Sequence, residues 1–266
     1  MSSVASPRPR VPPLCGWATV ITLSFMTVLI PAAHAQSQDD SAKKLLKTMS
    51  DYVASQKDIS IAYDSDIEVI TADLQKIQFT SSGQLQLSRP DKVHASRTGG
   101  YADVEFFFDG KTFTFLAKHL NSYAQSQSPG SVDQLVDRLR SEYFVEAPGA
   151  DLLISNVYGK LIEDVIDAKH IGLGVIDGVE CEHLAFRNLD VDWQVWIEAG
   201  ARPIPRKYVI TSKAVTGGPQ YTLHVKDWKT DAATADAFTF KPPPAAKKID
   251  FKELANVDEV PTGVVR

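Results

Sequence analysis

The sequence predicts a mainly β protein of the α+β class, built on one strongly curved antiparallel sheet that forms an open, unclosed barrel. Apolar and polar residues alternate with a period of two along most of the chain, and turns of hairpin length separate these segments. Short connections favour antiparallel neighbours, because parallel strands need long crossovers. Only two long stretches have helical periodicity, so we expect two helices covering the concave apolar face.

The two predicted helices span residues 41–56 and 131–146. Ser41 and Ser131 are suitable N-caps, and the apolar residues that follow each of them recur at helical spacing. Residues 36–40 are polar and are expected to be loose. Residues 151–158 are apolar and could add one further helical turn.

The predicted extended segments fall on both sides of the second helix, and we expect them to make up about ten or eleven strands. They cover residues 59–69, 73–81, 85–87, 93–95, 103–108, 111–118 and 122–125, and then 163–172, 174–176, 180–188, 191–197, 206–213 and 221–228. Asp109-Gly110 predicts a type I′ hairpin turn, which needs positive φ at both central residues. Asp177-Gly178 is a second tight turn of the same composition.

The N-terminus has the pattern of a cleaved signal peptide over residues 1–35. Arg8 and Arg10 precede an apolar run over residues 17–30, which is shorter than the roughly 20 residues that a membrane span requires. Ala33-His34-Ala35 then offers a small-x-small cleavage site. We expect a periplasmic protein without a stable membrane span after cleavage, although an uncleaved anchor is the alternative. Residues 36–244 would form one domain and residues 245–266 a C-terminal tail.

Composition excludes several classes of function. The 266 residues carry a net charge of −5, which argues against a nucleic-acid partner. Cys15 lies in the predicted signal segment, so the exported chain would keep Cys181 alone and have no internal disulfide. No phosphate-binding loop, nucleophile elbow or zinc-protease motif is present, and we expect no cofactor and no metal.

The order of these elements resembles the LolA/LolB-like superfamily of periplasmic lipoprotein carriers. The matching features are the leading amphipathic helix, Ser82-Gly83-Gln84-Leu85, Arg89-Pro90, Asp109-Gly110-Lys111-Thr112, the central helix before residues 148–153, and the final meander. The segments 190–197 and 205–207 are similar to an uncharacterised family of exported bacterial proteins within that superfamily. The resemblance covers residues 41–244.

The resemblance implies an unclosed barrel whose inner face and helices enclose an apolar cavity for acyl chains. Two features depart from the carriers. No arginine can be matched to the one with which carriers latch the helical lid, and no lipobox marks an outer-membrane acceptor. The fold therefore carries over better than the cargo does.

The aromatic hairpin on either side of Asp109-Gly110 is the candidate cavity wall. Alternation places its aromatic residues on one face, beside two residues of a later strand, and two leucines of the second helix would lie opposite. The predicted lining is Phe106, Phe108, Phe113, Phe115, Leu135, Leu139, Trp193 and Val195. The alternative is an ordinary filled core. Phe107 and Trp196 point the other way, towards a partner surface or towards loops.

Two polar clusters are candidates for metal or catalytic sites. Cys181 and His183 would share one face of a strand, but the sequence offers no second pair of ligands, so packing explains Cys181 better. Asp64, Asp66 and Glu68 could bind calcium, although a solvated strand face explains them better.

We therefore expect a non-enzymatic binding or carrier protein. It would hold a lipid, an acylated peptide or another amphiphile in an apolar cavity. The alternative is an envelope sensor or scaffold module that uses the same fold to contact another envelope protein. An exported hydrolase that uses Cys181 or His183 is the third reading.

Overall fold

The computed structural model describes residues 33–143, 147–231, 233–254, 257–261 and 263–264. Residues 1–32 of the predicted signal segment therefore lie outside the described residues, as do residues 144–146 at the end of the second predicted helix. The described part contains three α-helices and one twelve-stranded sheet.

The sheet is open, with strand order β12-β6-β5-β4-β3-β2-β1-β11-β10-β9-β8-β7. Every described pairing is antiparallel except the short parallel pair of β12 with β6. The strands are β1 (Asp58–Ile70), β2 (Lys76–Ser88), β3 (Lys92–Gly99), β4 (Asp103–Phe108), β5 (Thr112–Ala117), β6 (Ser122–Gln127), β7 (Asp167–Ile176), β8 (Val179–Arg187), β9 (Val191–Glu198), β10 (Pro205–Ser212), β11 (Gln220–Lys229) and β12 (Lys247–Lys248). The predicted fold class, a single curved antiparallel sheet not closed into a barrel, is confirmed.

Two predicted strand breaks are wrong. The segments predicted over residues 73–81 and 85–87 form the single strand β2, because Gly83 continues the extended chain. Gly83 lies under the Tyr63 ring, whose hydroxyl crosses it to donate to Ser96 O at 3.1 Å. Likewise β7 is one continuous strand, which begins at Asp167. The break predicted near Gly172 is a β-bulge, and Gly172 there has φ +123°.

The two Asp-Gly turns differ. Asp177 and Gly178 have φ of +50° and +78°, as the type I′ prediction requires. In the other turn only Gly110 has positive φ, at +89°. The Asp109 carboxylate accepts the backbone N–H groups of Lys111 and Thr112 at 2.9 and 2.8 Å instead. The type I′ prediction was therefore wrong for that turn, because a side-chain cap replaces the second left-handed residue.

Helix α1 (Ala33–Ser55) is longer than predicted and includes the residues expected to be loose. It contains no glycine or proline to end it early, and Lys43 pairs with Asp39 one turn away at 2.8 Å. Ser41 is consequently inside the helix and not at its N-cap. Its fully buried face is formed by Ala42, Leu46, Met49 and Val53.

Helix α2 (Val132–Tyr143) begins as predicted, at Ser131. Gln134 N donates to Ser131 Oγ at 3.3 Å and Ser131 N donates to Gln134 Oε1 at 2.9 Å, which is a reciprocal capping box. The apolar stretch after it forms a 3₁₀ turn (Ala150–Leu152), followed by α3 (Val157–Ile162).

One face of the sheet, here called the inner face, carries the main hydrophobic core. It includes Ile61 on β1, Leu85 on β2, Phe113 on β5 and Val195 on β9, and α1 and α2 pack against it. The other face is called the outer face. The chain returns to the sheet after residue 245, where β12 pairs with β6 and Phe251 packs on the core.

Gly83 gives a direct test of the continuous β2 strand. A Cβ there would lie 2.3 Å from Ser96 O and 2.3 Å from Tyr63 Cζ. We expect Gly83→Ala to lower the free energy of unfolding by about 2 kcal/mol in urea titrations, because Ser96 O belongs to the sheet backbone and the Tyr63 ring would have to give up its hydrogen bond. Gly100→Ala is the control, since nothing lies within 4 Å of its Cβ position. Equal stability of the two variants would contradict the explanation.

Candidate functional site

The inner face places the residues predicted to line a cavity within one packed layer. Five are buried in the core, namely Phe108, Phe113, Leu135, Trp193 and Val195. Phe106 and Leu139 are partly buried and pack against that core. Phe115 is half-buried and pairs across the hairpin with Phe106. Most of the predicted lining is therefore packed into the hydrophobic core in this structure.

The β8–β10 half of the inner face is aromatic. The Trp193 ring stacks on Phe186 with centroids 4.0 Å apart and meets Tyr208 edge-on at 5.7 Å. The Trp193 Nε1–H donates to Asn188 Oδ1 at 3.0 Å, which satisfies its one polar group. Desolvation raises the pKa of the buried Tyr208 hydroxyl.

The hairpin half of the inner face is covered by one ring from α2 and one from the C-terminal segment. This segment is the part of the chain after β12, residues 250–254 and 257–261. Phe113 on β5, Tyr143 on α2 and Phe251 form an aromatic trio with centroids 5.0 to 5.3 Å apart. Tyr143 Oη also hydrogen-bonds Ser126 Oγ at 3.1 Å. Sequence reasoning missed Phe251, because nothing near it indicates a return to the sheet.

Helix α1 is fixed at the opposite edge by a polar chain. Ser41 Oγ lies 3.2 Å from His170 Nδ1 on β7, and His170 Nε2 lies 2.7 Å from Glu182 Oε2 on β8. No local pattern in the sequence singles out His170. The three residues meet only because the helix crosses the β7–β8 pair.

Cys181 and His183 have separate structural roles. Cys181 is fully buried, and desolvation raises the pKa of its thiol, so the reactive thiolate is disfavoured. His183 stacks on Trp196 at 4.1 Å and hydrogen-bonds Gln194 at 2.9 Å. No group of three or more potential metal ligands occurs in the part of the chain that the structure describes.

The outer face carries two grooves. One of about 470 Å³ is lined mainly by polar outer-face side chains, including Asp64 and Asp66. Asp64 pairs with Lys226 and accepts from Ser82 Oγ at 2.6 Å, and the Lys226 hydrogen bond is the main cause of its lowered pKa. The other groove, of about 130 Å³, lies between Phe107 and Phe240. On this face Phe107 contacts Phe240, which lies outside the strands, whereas Trp196 stacks on His183 of the neighbouring strand β8 and not on a loop.

A polar patch interrupts the inner face beside the aromatic hairpin. Arg97 on β3 lies in register with Gly83 and with Val104, in the row that includes Tyr63. Its guanidinium pairs with Glu259 at 3.1 Å and donates to Val257 O at 2.6 Å. Burial raises the pKa of Tyr63 to about 12 and also raises the pKa of Tyr221. Sequence reasoning did not single out Arg97, since an arginine in an alternating strand has no special local signal.

Among the described residues, no helix has both the length and the apolar character needed to cross a bilayer. None of the curated proteins matches this chain.

Several solved structures are similar to the chain at low identity. An uncharacterised conserved protein from Thermus thermophilus has 11% identity and a TM-score of 0.46, covering 79% of this chain and 99% of its own. The lipoprotein LppX from Mycobacterium tuberculosis has 12% identity and a TM-score of 0.38. The match covers 74% of this chain and 100% of the LppX chain. A LolA superfamily protein from Nitrosomonas europaea has 10% identity and a TM-score of 0.28. The match covers 75% of this chain and 97% of that protein's chain. Likeness at this level does not establish what the chain binds.

The family comparison covers nearly all of the sheet and its helices. Residues 42–252 match the family described as "Predicted periplasmic protein (DUF2092)". This span runs from the middle of α1 to the aromatic trio. The chain therefore belongs to this DUF2092 family, and it is a periplasmic protein.

Proposed function

We propose that this protein reversibly binds an amphiphile on the inner face of its sheet, with α2 and the C-terminal segment as the parts that move. The observation that carries the proposal is the aromatic trio. Phe113 is 1% exposed, and although Phe106 of the paired strand stacks on it, two of the rings that meet it come from α2 and from the C-terminal segment. A guest can displace such a cover without breaking strand pairing.

The energetics favour exchange between a guest and the cover. Burying a phenylalanine side chain such as Phe251 is worth about 3 kcal/mol at most. An alkyl chain contributes about 0.8 kcal/mol for each buried methylene, so about ten methylenes supply about 8 kcal/mol. A long acyl chain therefore contributes more than the loss of Phe251 burial, and about 5 kcal/mol remains against the other costs of opening and the entropy of association. A short acyl chain does not contribute enough buried methylenes to do so.

The attachments of α2 are suited to a movable lid. Ser155 N donates to Asp133 Oδ1 at 2.9 Å, Arg140 pairs with Asp151 at 2.8 Å, and Tyr143 contacts Ser126. Ser155 Oγ also donates to Asp133 Oδ2, and each of these polar contacts between partly exposed groups is worth about 1 kcal/mol. Helix α1 has a fully buried apolar face and is the more fixed of the two.

The proposal is tested by lipid binding to matched variants of one strand. Phe106→Asp places a carboxylate on the inner face, whereas Phe107→Asp places one on the outer face. Mass spectrometry of the purified protein is expected to find bound lipid, and a fluorescent fatty-acid probe is expected to bind. Phe106→Asp should reduce probe affinity at least about tenfold, because a charge in an apolar site is costly to desolvate.

Phe107→Asp should change probe affinity little, provided that circular dichroism shows both variants folded. The proposal is wrong if the wild-type protein contains no lipid and binds no probe. It is also wrong if the two substitutions change the probe affinity equally.

A second variant tests the cover itself. Phe251→Ala removes one ring of the aromatic trio and should raise the affinity for the fatty-acid probe several-fold, while lowering the unfolding free energy by about 1 to 2 kcal/mol. Phe240→Ala is the matched control, because it removes a half-buried ring from the outer face. If a folded Phe251→Ala protein binds the probe no better than Phe240→Ala, the C-terminal segment is not a cover.

The edge strand β7 favours a second candidate function, contact with another envelope protein. Ile171, Leu173 and Val175 are 55, 64 and 67% exposed on this unpaired sheet edge. Exposed apolar edges pair readily with other chains. In chemical cross-linking of intact envelopes, Leu173→Lys should abolish a specific adduct while probe binding is retained. An unchanged adduct pattern would remove this candidate.

A further inference from the structure

Arg97 occupies a position on the inner face that the neighbouring strands fill with small or apolar residues. It pairs with Gly83 on β2 and Val104 on β4. The next residues on the same face of β3 and β4 are Ala95 and Phe106, which are paired two positions further along. Two residues of a strand span about 7 Å. Arg97 therefore borders the aromatic hairpin proposed to hold the guest, since β3 and β4 are paired strands and Phe106 lies two residues away in register.

The partner of Arg97 comes from the far end of the chain. Arg97 Nη1 lies 3.1 Å from Glu259 Oε1, across 162 residues of sequence, and Nη2 donates to Val257 O at 2.6 Å. The two side chains are only 19% and 14% exposed. The C-terminal segment therefore carries a carboxylate into a largely desolvated part of the inner face.

The pairing is incomplete on both sides. Arg97 Nε and Glu259 Oε2 are buried, and neither has a hydrogen-bond partner among the described residues. A guanidinium and a carboxylate can form two parallel hydrogen bonds, which are stronger and more specific than one. Leaving a buried donor and a buried acceptor unpaired costs free energy. Glu259 is thus an imperfect anion for this site.

The groups around Arg97 combine polar and apolar surface. The Tyr63 and Tyr221 side chains are largely buried and close enough for Arg97 and Glu259 to influence their ionisation. Ser65 and Ser81 on β1 and β2 are 1% and 7% exposed. Aromatic rings and hydroxyl groups beside a guanidinium suit the junction between an anionic head and an alkyl chain.

We propose that Arg97 binds the carboxylate or phosphate head of an anionic amphiphile, and that Glu259 occupies this site as an internal substitute while the protein is closed. This inference rests on the proposed function and adds the class of ligand. A head with two oxygens engages Nε as well as an Nη atom, which the Glu259 geometry does not achieve. Displaced Glu259 returns to water, and its segment leaves together with Phe251. Entry of the head and removal of the cover are therefore coupled.

The test compares three ligands with the same sixteen-carbon chain: palmitate, hexadecyl phosphate and the neutral hexadecanol. Each is titrated into the wild-type protein, Arg97→Gln, Glu259→Gln and the control Arg187→Gln. Arg187 pairs with Asp192 on an exposed part of β8 and β9. Wild type and Arg187→Gln should bind at least one of the two anions about tenfold more tightly than the alcohol, as a charge-assisted hydrogen-bond pair permits. The better of the two anions identifies the head.

The two site variants should change affinity in opposite directions. Arg97→Gln should bind the anions and the alcohol equally. Glu259→Gln should bind the preferred anion about tenfold more tightly than wild type, because the internal competitor has lost its charge. If Arg97→Gln fails to fold, the Glu259→Gln titration decides by itself.

The outcomes separate the two proposals. If none of the three ligands binds wild type or Glu259→Gln, the proposed carrier function is wrong. If all three bind wild type equally and Glu259→Gln gains nothing for either anion, the carrier function stands and the role of Arg97 as a head-group site is wrong.

Discussion

The structure depends on one constraint: the described residues form a single curved sheet, and no second sheet among them buries its apolar face. In a sandwich or a closed barrel, that face would be covered by strands held through backbone hydrogen bonds. Here it is covered by α1, α2 and the C-terminal segment, which contact it through side chains. Apolar burial is not directional, so a chemically similar guest can take the place of these side chains.

Polar contacts determine which parts of the cover are fixed. Helix α1 is anchored by its buried stripe and by the hydrogen bond between Ser41 and His170, which Glu182 orients. The C-terminal segment is held by Arg97 and Glu259, a pair that leaves buried polar atoms unsatisfied. The same fold therefore combines a well-satisfied attachment at one edge of the sheet with a less satisfied one near the hairpin.

The hairpin half of the site could be predicted because its information is local. Alternation assigns Phe106, Phe108 and Phe113 to one face and Phe107 to the other, and the register agrees. The polar groups of the site could not be predicted, since Ser41 meets His170 across 129 residues and Arg97 meets Glu259 across 162. The continuity of β2 was missed for a similar reason. Considered alone, Gly83 indicates a break in the strand, but in the structure it accommodates the Tyr63 ring from the neighbouring strand.

The sequence by itself determined the class of the fold, the two faces of most strands and the cap of α2, because these follow from periodicity and from side chains a few residues apart. Tertiary structure decided what covers the inner face. The choice between an open cavity and a cover made of Tyr143 and Phe251 depends on where the C-terminal segment runs. That path is set by contacts between distant parts of the chain, each weak alone and selected only once the sheet has formed.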